Sequence, residues 1–156
     1  MKTMTNILFL CGIIMFTAFS CKNNENLLIS EDRLLEVTNS TYNGCKSVND
    51  SLDDVNEYIE LQTVDSNYLE VNHINVLFNC CPSIIVQARV EDGVIICNEI
   101  DTLPLCNCMC LFDINYIIGP LEYNQYTFKL LRDYGKDVFE FNIDFNKKTN
   151  FKYSIY

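Results

Sequence analysis

Residues 106–118 read CNCMCLFDINYII, and this stretch decides the fold. Its even positions hold cysteine or apolar residues, whereas polar residues such as Asn107 and Asp113 occupy odd positions. Successive side chains of a β-strand point to opposite faces of a sheet, so the alternation predicts a strand over 106–118. The buried face of that strand is expected to carry three cysteines, Cys106, Cys108 and Cys110.

The same period of two residues recurs along the chain from Glu57 onward. It predicts further strands at 57–64, 68–79, 83–91, 94–100, 125–132, 137–145 and 151–156. Turn residues separate these runs, and Asp92-Gly93 between two apolar runs is a strong hairpin signal. No long helical period is present. We therefore predict an all-β domain over 57–156, an antiparallel β-sandwich of the immunoglobulin-like type with about 7–8 strands.

The overall composition limits the classes of function. The chain has 156 residues, which suits one domain, and 49% of them are hydrophobic, which is enough to form a core. The formal net charge of −10 argues against a nucleic-acid partner, because such a protein needs basic residues to neutralise phosphates.

Residues 1–20 have the pattern of a signal peptide. Lys2 precedes an uncharged apolar run, 7–19, which is shorter than the ~20 residues that a transmembrane helix needs. The run ends at Ala18-Phe19-Ser20-Cys21, which resembles a bacterial lipobox. That resemblance implies lipidation of Cys21, for example by palmitate, and Lys22 favours the outer membrane, either periplasm-facing or surface-exposed. The alternative is simple secretory cleavage, with Cys21 available for a disulfide.

Residues 21–56 predict a disordered acidic tether rather than a domain. Asn, Ser, Asp and Glu dominate this segment, and apolar clusters are few. Ser51-Leu-Asp-Asp54 resembles a helix-capping box, so we expect one short helical turn near 51–57. An acidic set in the same region could hold Ca²⁺ but lacks the spacing of an EF-hand loop, so a solvated face is the favoured interpretation. The set comprises Asp50, Asp53, Asp54 and Glu57.

Nine cysteines are the strongest compositional signal. Cys11 is lost with the signal peptide and Cys21 is assigned to the lipid, which leaves seven. Disulfides are favoured because the chain is expected to be exported. The candidates are Cys45, Cys80 and Cys81, bonded in an undetermined order to Cys106, Cys108 and Cys110, with Cys97 as the free thiol.

Two other states of the cysteines stay open. Thiolates of Cys106, Cys108 and Cys110 could bind Zn²⁺ or Cu(I), although the spacing differs from that of zinc knuckles. Alternatively, the cysteines could be free thiols that pack as small hydrophobic residues. The sequence contains no catalytic motif, and His73 has no partner motif, which predicts a histidine at the surface of a strand. We therefore expect a protein that is not an enzyme and has no cofactor.

Three segments, 78–82 (FNCCP), 106–113 (CNCMCLFD) and 119–123 (GPLEY), resemble small uncharacterised lipoproteins of Bacteroidetes. The resemblance implies an exported, lipid-anchored β-domain and adds no mechanism. With the motifs above, it predicts a cell-envelope β-sandwich with a binding, display or structural role. Its partner is not identified, and an envelope protein and a glycan are the candidates. The alternative is a metal-handling protein or a small envelope enzyme that uses Cys106, Cys108 and Cys110.

Overall fold

The computed structural model describes residues 32–46, 56–103 and 106–155. The predicted signal segment 1–20, the lipid-attachment candidate Cys21 and most of the expected helical turn near 51–57 lie outside these residues. Within the described ranges, no helix is long and apolar enough to cross a membrane.

The described residues form ten strands and one short 3₁₀ turn, Asp133–Gly135. The eight strands expected from residue 57 onward are all present, and their ends agree within two residues except at one point. The exception is β7, which begins at Met109 rather than at Cys106. The strands are β1 Arg33–Leu34, β2 Glu36–Lys46, β3 Tyr58–Val64, β4 Tyr68–Asn79, β5 Ile84–Glu91, β6 Val94–Asp101, β7 Met109–Gly119, β8 Asn124–Arg132, β9 Asp137–Phe145 and β10 Asn150–Ser154.

Two five-stranded sheets pack face to face, so the prediction of an all-β sandwich is confirmed. The first sheet has the order β1-β5-β6-β8-β9 and the second β10-β3-β4-β7-β2. Neighbouring strands are antiparallel except for β6 and β8, a parallel pair that alternation alone could not reveal. The inner faces meet in an apolar core whose largest fully buried members include Phe78, Tyr116, Phe128 and Phe145.

Residues 33–46 form two strands of the sandwich, so the prediction of a disordered tether was wrong for this part of 21–56. β1 pairs with β5 in the first sheet, and β2 pairs with β7 in the second. The chain changes sheet at Leu35, which is 7% exposed and whose amide donates to the carbonyl oxygen of Ala88 at 2.9 Å. The sequence did not reveal β2, since this edge strand is exposed along most of its length and carries no apolar alternation.

β4 changes the face of its side chains at Asn75. A register shift separates Ile74 from Val76, and Asn75 has a φ of 60°, a left-handed conformation that asparagine tolerates better than most residues. The bulge shifts the buried face from odd to even positions. Strict alternation along the sequence places Ile74 on the same face as Val76 and Phe78, which is wrong because the bulge separates them. The buried side chains are Leu69, Val71 and His73 before the bulge and Val76 and Phe78 after it.

The strand directions define two ends of the sandwich. β5 runs from Ile84 at one end to Glu91 at the other, where the Asp92-Gly93 turn joins it to β6. We name the second end the hairpin end, and the described chain begins there, since Arg33 pairs with Val90. The opposite end, which contains residues 45–46, 79–84, 101–103 and 106–110, is the cysteine end.

A close contact between β2 and β7 generates a stability prediction. A Cβ atom on Gly44 would lie 1.7 Å from Cδ1 of Phe112, whose side chain is buried. Gly44→Ala must displace that ring, so we expect a loss of about 1–3 kcal/mol in the free energy of unfolding, measured by urea denaturation. Asn43→Ala, at the exposed neighbouring position, should change it by less than about 0.5 kcal/mol. Equal effects of the two variants would contradict this packing.

Candidate functional site

Three disulfides gather at the cysteine end. They join Cys45 to Cys110, Cys80 to Cys108 and Cys81 to Cys106, across sequence separations of 65, 28 and 25 residues. Each member of the 106/108/110 group is therefore bonded to a different segment of the chain. Among the described residues, Cys97 is the free cysteine.

The disulfides join three segments of the chain that meet at this end of the sandwich. The bulged edge strand β2 carries Cys45, the end of β4 leads into Cys80 and Cys81, and the segment before β7 carries Cys106 and Cys108. The amide of Cys80 also donates to the carbonyl oxygen of Cys108 at 3.0 Å. Covalent and backbone bonds thus hold the same two segments together.

Asp101 adds a polar clamp beside the disulfides. Its Oδ1 accepts hydrogen bonds from the amides of Ser83 and Leu103, both at 3.0 Å. Its Oδ2 accepts a hydrogen bond from Nδ2 of Asn79, and Oδ1 of Asn79 accepts from the amide of Cys81 at 3.0 Å. The carboxylate is buried, so its hydrogen bonds satisfy a charge that would otherwise be costly to bury. The turns at 79–83 and 101–103 are therefore fixed to each other.

The burial of Cys106, Cys108 and Cys110 differs in part from the expectation that all three face the core. Cys110 is buried, as the alternation predicts, but Cys106 is half-buried and Cys108 is exposed. The alternation fails there because β7 begins at Met109, so Cys106 and Cys108 precede the strand. A second observation was not predicted. The Sγ atoms of Cys45, Cys80 and Cys110 all lie within 4.8 Å of one another, which places two of the disulfides side by side.

A groove of about 360 Å³ opens beside the disulfides. Phe78 and Met109 give it apolar surface, while Asp133 and Lys136 supply charges of both signs. Met109 is 58% exposed, and the neighbouring Leu103 is 51% exposed. The cysteine end therefore presents apolar surface to solvent on a rigid support.

Sequence reasoning missed a buried ion network around His73. The ring is fully buried, with Nδ1 at 2.7 Å from Oε2 of Glu99 and Nε2 at 2.8 Å from Oε1 of Glu57. The same Glu57 oxygen accepts a hydrogen bond from Arg132 at 2.7 Å, and Arg132 also binds Asp137 at 2.7 Å. The prediction of a surface histidine was therefore wrong, and Glu57 is not part of a solvated acidic face.

A signal for this network is present in the sequence. His73 shares its parity with Leu69 and Val71, and Glu99 shares its parity with Ile95 and Cys97. A charged or titratable residue on the apolar face of each of two strands indicates that the two face each other in the core. The rest of the acidic set, Asp50, Asp53 and Asp54, lies outside the described residues.

The two carboxylates determine the charge of His73. Burial alone disfavours the imidazolium and lowers its pKa, but Glu99 and Glu57 outweigh burial and raise the pKa from 6.5 to about 9. At neutral pH both ring nitrogens therefore carry protons and donate to carboxylates. With no free ring nitrogen, His73 offers neither a general base nor a metal ligand.

Cys97 lies in the same region of the core and is an unreactive thiol. Burial raises the pKa of its thiol well above the usual range, which suppresses the reactive thiolate. Burial, followed by the neighbouring Cys97 and Glu99, also raises the pKa of Tyr116. The free cysteine is thus a packed core residue.

The ion network predicts a stability that falls with pH. Because the pKa of His73 is higher in the folded chain than in the unfolded chain, its contribution is complete below pH 6.5 and is lost as the pH rises through 9. We expect the free energy of unfolding to fall by about 2–3 kcal/mol between about pH 6.5 and 8.5. This window lies below the ordinary thiol pKa of 9.0, so Cys97 adds little.

Denaturant unfolding without reductant measures this slope. His73→Gln should remove it, whereas Lys152→Gln, which breaks the exposed ion pair with Glu60, should leave it unchanged. A free energy of unfolding for the original chain that stays constant across the window would contradict a charged His73.

The cysteine end thus combines three disulfides, an amphipathic groove and rigid turns, while the core holds an ion network whose single histidine is fully engaged.

Comparison of the chain with protein-family models, with curated proteins and with solved structures found no match.

Proposed function

We propose that this protein is an exported, lipid-anchored cell-envelope β-sandwich with a binding, display or structural role, and that it is not an enzyme. The observation that carries the proposal is the set of three disulfides at the cysteine end. Disulfides form and persist outside the reducing cytosol, which agrees with the signal-like segment 1–20.

The arrangement of the two ends supports a role in binding or display. The described chain begins with Asp32 at the hairpin end, and Cys21 lies eleven residues before it. A chain of that length spans at most about 40 Å. A lipid on Cys21 would therefore keep the hairpin end within about 40 Å of a membrane, and the cysteine end, with its groove and exposed Met109, is the end farther from the point of attachment.

The chemistry of the described residues supports the non-enzymatic part of the proposal. The single histidine of the chain is held between two carboxylates, and the thiol of Cys97 is buried. Neither can activate a nucleophile at the groove. The groove instead offers apolar contacts flanked by Asp133 and Lys136, which suits recognition of an envelope protein or a glycan.

The alternative metal-handling function needs thiolates, and the disulfides remove them. Cys106, Cys108 and Cys110 are bonded to three different partners, so in the oxidised chain none of the three offers a thiolate to Zn²⁺ or Cu(I). The envelope function therefore fits the geometry better than metal handling does.

Metabolic labelling with a palmitate analogue tests the anchor. In a bacterial host that acylates lipoproteins, the original chain should take up the label and partition with membranes, because several acyl chains on one residue provide stable anchoring. Cys21→Ser should abolish the label and release the protein from membranes. Cys11→Ser, a matched change inside the apolar run 7–19, should keep both properties. Equal labelling of the Cys21→Ser chain would overturn the lipid attachment.

A further inference from the structure

We propose that the two neighbouring disulfides, Cys80–Cys108 and Cys45–Cys110, form a thiol–disulfide exchange site that reacts with an external thiolate. The site goes beyond a binding or display role, because it gives the cysteine end a redox chemistry of its own. The third disulfide, Cys81–Cys106, lies outside the sulfur cluster and serves as an internal reference.

The first basis is the proximity of sulfur atoms. Sγ of Cys80 lies within 4.8 Å of both sulfurs of the Cys45–Cys110 bond. A thiolate produced at Cys80 would therefore begin within about one ångström of van der Waals contact with a second disulfide. A small movement of the Cys80 side chain would bring its sulfur into contact with that disulfide. Thiols that are far apart in the fold could meet only if the fold opened.

The second basis is the exposure of one member of each bond. Cys108 and Cys45 are exposed, whereas their partners Cys80 and Cys110 are half-buried and 7% exposed, respectively. Exchange requires access of the attacking thiolate to one sulfur of the bond, and Cys108 provides that access. Attack on Cys108 is the entry step of the exchange, because it releases Cys80 beside the second bond.

Two displacements describe the chemistry. A thiolate of the partner attacks Sγ of Cys108, which forms a mixed disulfide and breaks the Cys80–Cys108 bond, so that the electron pair leaves on Cys80 as a thiolate. The Cys80 thiolate then attacks Sγ of Cys45, which forms a Cys45–Cys80 disulfide and releases Cys110 as a thiolate that takes up a proton. Attack on Cys110 instead releases Cys45. In each step one S–S bond replaces another, and no further oxidant or reductant is consumed.

The partner is thus any accessible thiolate. A small monothiol and an exported protein with a reactive dithiol share this chemistry, and the exposed Cys108 is the sulfur that both would attack. The test therefore includes one arm for each source.

A matched pair of variants tests the second displacement without a partner. Cys108→Ser leaves Cys80 as a free thiol beside the Cys45–Cys110 bond, whereas Cys106→Ser leaves Cys81 free outside the cluster. Each purified variant is quenched in acid and alkylated under denaturing conditions, and the labelled residues are located by mass spectrometry of peptides. In Cys108→Ser we expect at least roughly a tenth of the molecules to carry the label on Cys45 or Cys110 instead of on Cys80.

In Cys106→Ser the label should stay on Cys81 and on the free Cys97. A Cys108→Ser chain labelled on Cys80 and Cys97 alone would overturn the proposal. The comparison is informative because both variants lose one disulfide of similar sequence separation.

The original chain provides a test that does not depend on the variants folding. It is exposed to limiting reduced glutathione in one arm and to limiting reduced thioredoxin in the other. A mixed disulfide on Cys108, with new thiols distributed over Cys80, Cys45 and Cys110, supports the exchange site, and the arm that reacts faster identifies the kind of partner. Absence of a Cys108 adduct in both arms, or new thiols confined to Cys80, would overturn it.

Discussion

The covalent clamp at the cysteine end is the constraint on which the rest of the structure depends. The edge strand β2 is exposed along most of its length, so burial of apolar surface contributes little to holding it. Its pairing with β7 and the Cys45–Cys110 bond keep it in place. In the chain-entropy model, closing a loop of that sequence separation removes about 4 kcal/mol of denatured-state entropy. Strand pairing and one covalent bond, rather than a buried apolar face, therefore hold this polar strand in the sandwich.

Alternation in the sequence predicted the eight strands from residue 57 onward and the sandwich they form, because inward and outward positions differ in polarity. It failed where that physical link is broken. β2 lacks a buried face, and a bulge at Asn75 exchanges the two faces of β4. Cys106 and Cys108 precede β7, so their parity carries no information about burial. The residue pattern of one segment does not show a shift in strand register that arises from its pairing with a neighbouring strand.

The bulge at Asn75 also explains why a charged network exists in the core. It leaves His73 on the buried face before the shift, opposite Glu99 of β6 and beside Glu57. Burial of three charged side chains is costly unless each is paired, and here both ring nitrogens and the Arg132 guanidinium provide partners. The candidate cysteines stand out in the sequence, whereas the sequence signal for this network is weaker: one titratable residue, His73 or Glu99, on the apolar face of each of two strands.

If three disulfides clamp the folded chain, a count of its free thiols shows this directly. The protein is purified without reductant, denatured and alkylated, and its cysteines from Cys45 to Cys110 are examined by mass spectrometry. We expect one of these seven residues, Cys97, to carry the label. Labels on six or seven of them would contradict it, because the clamp would then be absent.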